Sequence, residues 1–283
     1  MAGAGRGRPL RRVSVTGVVS RPERATSFGA VAEDYDRLRP GPPDAAVDWL
    51  LPTHCEVAVD LAAGTGLLTR VLARKVAQVL AVEPDERMAA VLRARSPGVH
   101  VLQGRGEAIP VPDASADGVF VSSAWHWMDP DRAVPEIARV LRDGGRFGVV
   151  WSSLDRQAGW LRELRRLSRP DTAQADAQGQ QQPRSGRHHE VTLPDGGPFG
   201  DIATASFGFA RKMGIGDVVD LLATYSGVIT ASAADRAAGL TRARAALQER
   251  FPGAAEIDVP LRASCWRADR ADRVTARACA SRR

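Results

Sequence analysis

Short apolar runs of strand length alternate along this chain with stretches whose apolar residues recur at helical spacing. Val57-Ala58-Val59, Val79-Leu80-Ala81-Val82, Val99-His100-Val101-Leu102, Gly118-Val119-Phe120-Val121-Ser122 and the segment from Arg146 to Trp151 predict five strands. The first two occupy about 57–61 and 78–83. Helical patterns over about 67–75, 85–95 and 131–141 lie between them. Ser96-Pro97-Gly98 closes the second helix, Asp129-Pro130 opens the third, and Asp143-Gly144-Gly145 stops it. Strands alternating with helices imply a parallel, doubly wound sheet.

The flanks read differently. Phe28, Val31, Ala32 and Tyr35 fall at helical spacing until Pro40-Gly41-Pro42-Pro43 interrupts them, and a short helix is expected from Ala45 to Leu51. Residues 104–116 read as a polar loop. After Trp151 come a helix over 155–167, a strand over 203–210, helices over 216–226 and 233–250, and a last strand over 257–266. The stretch 170–190 is rich in Gln, Asp, Gly and Arg, which marks a polar surface insertion within about 168–192. The expected organisation is a disordered extension over 1–25, one domain over 26–267 and a basic tail over 268–283.

Composition narrows the class. With 44% hydrophobic and 25% charged residues the chain is ordinary for a globular protein. No apolar stretch is long enough for a transmembrane helix, so no membrane partner is expected. The net charge of +6 is misleading. Residues 1–24 and 262–283 each carry +5, so the rest carries −4. The basic character belongs to the ends, and no nucleic-acid partner is expected. Cys55, Cys265 and Cys279 lack metal-ligand spacing, and His188-His189 has no partner cysteine. No metal is expected, and the thiols point to a reducing, cytoplasmic setting.

The chemistry starts at Asp60-Leu61-Ala62-Ala63-Gly64-Thr65-Gly66, between the first strand and its helix. The glycines allow a tight turn and close approach of the backbone to a ligand. Glu83 ends the second strand, where a carboxylate can accept from both hydroxyls of a ribose. An adenosine-containing cofactor follows from the pair. Each residue also has a plainer reading: a simple turn, a strand-end acid, and for Asp60 a cap of the turn.

Four further segments carry a resemblance: Tyr35-Asp36 with Arg39-Pro40, Gly106-Glu107-Ala108-Ile109-Pro110-Val111-Pro112-Asp113, Ala124-Trp125-His126-Trp127 and Leu141-Arg142-Asp143-Gly144-Gly145. Together with the glycine segment they resemble the class I S-adenosylmethionine-dependent methyltransferases, in their small-molecule, type 11-like branch. The likeness is strong over about 26–153 and looser over 200–267. It implies an α/β fold: a doubly wound, Rossmann-like sheet, mostly parallel with an antiparallel last strand and helices on both faces.

The resemblance also implies roles. Ala62, Gly64 and Gly66 would approach the methionine and ribose parts of S-adenosylmethionine. Asp60 would anchor the amino group and Glu83 the ribose. Met88, Gly106 and Glu107 would lie by the adenine, and Ser123 and Ala124 by the reacting methyl. Tyr35, Arg39, Trp125 and Trp127 would border the substrate. His126 is the candidate general base, or else a residue that shapes the pocket. Ala62 stands where many relatives have glycine, and Pro42 where many have tyrosine.

The expected activity is methyl transfer to a small-molecule acceptor, with an oxygen acceptor (carboxylate or hydroxyl) preferred. A nicotinamide-dependent oxidoreductase would share the βαβ unit, but Thr69 replaces the third small residue and no Tyr-x-x-x-Lys pair exists. Ser122-Ser123-Ala124-Trp125 replaces the Asn-Pro-Pro-aromatic motif of adenine-N6 and glutamine methylation. A binding module that retains cofactor without turnover stays open.

Overall fold

The structure is a computed structural model that describes residues 32–168, 190–194, 196–225, 228 and 231–271. Phe28, Val31, His188-His189, Cys279, the expected extension and nearly all of the polar insertion and basic tail lie outside the described residues.

Two short helices, α1 (Ala32–Leu38) and α2 (Asp44–Leu50), precede the sheet. Then follow β1 (Val57–Leu61), α3 (Leu67–Leu72), β2 (Gln78–Glu83), α4 (Glu86–Arg95), β3 (His100–Gln103), β4 (Ala116–Ser122), α5 (Pro130–Val140) and β5 (Leu141–Leu154). The chain continues through α6 (Gly159–Leu167), β6 (Phe199–Gly214), α7 (Ile215–Ala223), α8 (Ala233–Arg250) and β7 (Glu256–Arg270). The seven strands are ordered β3-β2-β1-β4-β5-β7-β6. Adjacent strands from β3 across to β5 pair in parallel. β7 runs antiparallel to both neighbours, so it is the one reversed strand and the expected fold class holds.

Strand alternation divides the core. Val119, Val121, Phe147 and Val149 face one side, where α5 contributes Val134 and Ile137. Phe120 and Val150 face the other, with Ala46 and Val47 of α2 and Leu68 and Leu72 of α3. A third cluster joins Leu38, Leu154, Leu161, Val218, Leu222 and Leu247 with Val259 and Leu261 of β7. It gathers α6, α7 and α8 over the end of the sheet at which β5 finishes and β7 begins. Helix starts are capped as the sequence predicts: Asp85 accepts from Arg87 N, and Asp129 from Asp131 N.

Three differences from expectation have physical causes. β5, β6 and β7 outrun the apolar runs, because β6 and β7 form a long antiparallel ribbon held by backbone pairing beyond its alternating apolar centre. β7 thereby continues to Arg270, past the expected domain limit at 267. The 104–116 segment is not simply a polar loop, since Ile109 and Val111 are buried. Arg139 of α5 ties the segment down by donating to Ile109 O, Val111 O and Asp113.

Candidate active site

Strand order reverses direction between β1 and β4, and ligands of open α/β sheets bind in the crevice beyond the carboxyl ends at that point. β1, β2 and β4 place Asp60, Glu83 and Ser122 there. Past β1 the chain turns sharply: Ala62, Gly64 and Gly66 have φ of 56°, 59° and 87°. The turn is closed by Gly66 N donating to Ala63 O, and tied to β2 by Ala63 N donating to Val82 O. The two glycines differ. A Cβ on Gly66 would lie 2.9 Å from Leu92 Cγ of α4, whereas one on Gly64 would meet nothing within 4 Å. Gly66 lets a helix approach; Gly64 faces open space.

Glu83 is 6% exposed. Its Oε2 accepts from Gly64 N at 2.7 Å and its Oε1 from Asp85 N at 2.9 Å. Burial raises its pKa against those two donors. Asp60 is fully buried, and Thr69 Oγ1 donates to its Oδ2 at 2.5 Å. Its Oδ1 has no hydrogen-bond partner among the described residues, and neither has the buried hydroxyl of Thr65. Burial, with the nearby Glu83 adding to it, pushes Asp60 up to about 7. An orphaned buried acceptor costs about 1–3 kcal/mol, so a carboxylate kept in that state fits a cationic ligand group.

The segments after β3 and β4 rest on each other. Glu107 Oε1 accepts from Asp129 N, and a Cβ on Gly106 would lie 2.6 Å from Met128 Sδ. Ser123 follows β4 with φ 56°, and its N donates to Val150 O. Ala124 then caps a 3₁₀ turn over Trp125–Trp127 that sends the aromatic side chains different ways. Trp125 is 3% exposed and packs on Phe147 with centroids 5.2 Å apart. It belongs to the core, whereas His126 and Trp127 stay half-buried, with ring centroids 4.5 Å apart. Met88 is buried in the first turns of α4.

Tyr35 and Arg39 come together. The Arg39 guanidinium lies 5.2 Å from the Tyr35 ring and 4.3 Å from the Tyr225 ring, and donates to Thr224 Oγ1 and O. Thr224, Tyr225 and the Thr65 hydroxyl were not singled out by the sequence; only their placement reveals them.

Comparison with known proteins agrees with this geometry. The profile of the family described as a methyltransferase domain matches residues 59–149. An uncharacterized methyltransferase of Mycobacterium tuberculosis is 41% identical over 225 residues, covering 80% of this chain and 87% of that one. A malonyl-[acyl-carrier protein] O-methyltransferase of Methylococcus capsulatus is 36% identical over 133 residues, 43% of this chain and 48% of that protein. Among solved structures, a putative type II methyltransferase from Anaeromyxobacter dehalogenans superposes with a TM-score of 0.61 at 24% identity, covering 82% of this chain and 97% of that one. The fold and crevice are those of an adenosine-cofactor enzyme. The chain belongs to the class I S-adenosylmethionine-dependent methyltransferases, and S-adenosylmethionine is its cofactor.

Proposed function

We propose that this enzyme methylates a small molecule at oxygen, on a carboxylate or a hydroxyl. The observation that carries the site assignment is the buried Asp60 carboxylate, whose Oδ1 has no partner among the described residues, at the strand end that leads into the glycine loop. Asp60 would hold the cofactor's amino group, and the free lone pairs of Glu83 its ribose hydroxyls. Ala62, Gly64 and Gly66 would admit the methionine and ribose. Met88, Gly106 and Glu107 would border the adenine, and Ser123 and Ala124 the reacting methyl. The cofactor supplies an electrophilic methyl group, so the protein's main task is alignment of the acceptor.

Tyr35, Arg39 and Trp127 would line the acceptor's side, with Arg39 set against Thr224 and Tyr225 just past α7. A carboxylate acceptor needs no base there. A hydroxyl acceptor does, and His126 would take its proton. Similarity to an O-methyltransferase over 43% of this chain supports oxygen. No helix among the described residues is long and apolar enough to cross a membrane. The test is methyl transfer from labelled S-adenosylmethionine to panels of carboxylic acids, phenols, alcohols and amines. Label in an ester or ether supports the reading. Label found only in amines overturns the oxygen preference, and binding without transfer to any class leaves a cofactor-binding module.

A further inference from the structure

Asp36 lies in α1, outside the residues given a role above. Its side chain is 11% exposed. Oδ1 accepts from Arg70 Nη2 at 2.6 Å, and Oδ2 lies 3.9 Å from Arg95 Nε. Arg70 belongs to α3 and Arg95 to the last turn of α4, the helices that follow β1 and β2. The same Arg70 guanidinium donates through Nη1 to Thr65 O at 2.9 Å. Thr65 sits between the two left-handed glycines, and a Cβ on Gly66 would lie 3.6 Å from that Nη1. One carboxylate therefore reaches the glycine loop through a single arginine.

We propose that Asp36 is a positioning residue for the cofactor. Through Arg70 it fixes the Thr65 carbonyl, and with it the turn made by Gly64 and Gly66. A loop with two glycines has much backbone freedom to lose on binding. A fork that bonds a carboxylate on one side and the loop carbonyl on the other moves that cost from ligand binding to folding. An exposed ion pair contributes little to stability. Asp36 and Arg70 are only 11% and 28% exposed, so water screens the pair little and the fork holds the loop before ligand arrives. The residue that follows α1 is held separately, by Arg39 on Thr224. This inference rests on the glycine loop being the cofactor's seat.

The experiment is calorimetric titration of the full chain with S-adenosylhomocysteine, with thermal midpoints recorded for each variant. Wild type and Glu83→Ala test the seat itself. Asp36→Asn and Arg70→Gln should each weaken binding about tenfold, as loss of a charge-assisted hydrogen bond does. The double variant should be no weaker than Arg70→Gln alone, and Asp36→Glu should recover part of the loss. Arg70→Lys keeps the charge but not the fork, and should also lose affinity while remaining folded. Thr224→Val, which loosens the contact of Arg39 just past α1, should leave the affinity as in wild type. Unchanged affinity in Asp36→Asn and Arg70→Lys overturns the inference. So does an equal loss in Thr224→Val, which would mean that any loosening of α1 suffices.

Discussion

Gly64 N donates a 2.7 Å hydrogen bond to Glu83 Oε2, joining the loop after β1 to the end of β2 across 19 positions. With Asp85 N on the other oxygen, two backbone donors aim the carboxylate before any ligand arrives. Glu83→Ala should weaken S-adenosylhomocysteine binding by about 10–100-fold, since it removes a buried acceptor and leaves both donors unmatched. Glu83→Gln keeps an acceptor and should fall between. Calorimetry decides, and a loss under roughly twofold would contradict the assignment.

The two glycines should fail in different ways. Gly66→Ala meets both a φ of +87° and Leu92 Cγ at 2.9 Å. It should cost about 2 kcal/mol or more in denaturant unfolding. Gly64→Ala meets only its φ of +59° and should cost about 1 kcal/mol. Its larger effect should be on cofactor affinity, because the added methyl enters the space the loop leaves open.

Asp60 gives a pH signature. Its folded pKa, about 7, lies above the ordinary 3.8 because burial penalises the charge. The folded state therefore binds the proton more tightly than the unfolded chain. This group's contribution to stability falls as pH rises from about 4 to about 7, then levels off. A cationic amino group beside it reverses the preference and favours the carboxylate. Cofactor affinity should thus drop about fivefold between pH 7 and pH 6. Thr69 and Glu83 also face Asp60, and Thr69 remains a donor throughout. Asp60→Asn should flatten the profile between pH 6 and 7.5. An unaltered slope in that variant would assign the titration elsewhere.

His126→Gln separates the two acceptor classes. With a hydroxyl acceptor, kcat should fall by about 10²–10⁴-fold, the usual contribution of a general base. With a carboxylate acceptor kcat should stay within a factor of a few. A carboxylate reaction as sensitive as the hydroxyl one would make His126 a packing residue beside Trp127.

Local signals made the first half of the fold legible. β1 and β2 appear where the apolar runs place them, and α8 over the span of its helical pattern. Asp60, Glu83 and the two glycines are readable because one βαβ unit brings them together. Tertiary arrangement hides the rest. Nothing near Asp36 signals that Arg70 lies opposite it. Trp125 and Trp127 look alike in sequence, and only the 3₁₀ turn between them sends the first ring into the core. The 104–116 segment reads as polar because Ile109 and Val111 sit among polar and turn residues, while Arg139, which holds it down, comes later in the chain.

The place of β7 sets the order in which the molecule can finish folding. β5 ends at Leu154, but its outer neighbour starts only at Glu256, and among the described residues β6 pairs with no strand except β7. During synthesis the strands that carry the cofactor loops can assemble while β5 still presents a bare edge, a surface open to wrong pairing. Helices α6 to α8 complete their packing only once β7 lies between β5 and β6, since Val259 and Leu261 of β7 belong to their cluster. The cofactor half can thus form early, and the two halves are joined last, by a single late strand.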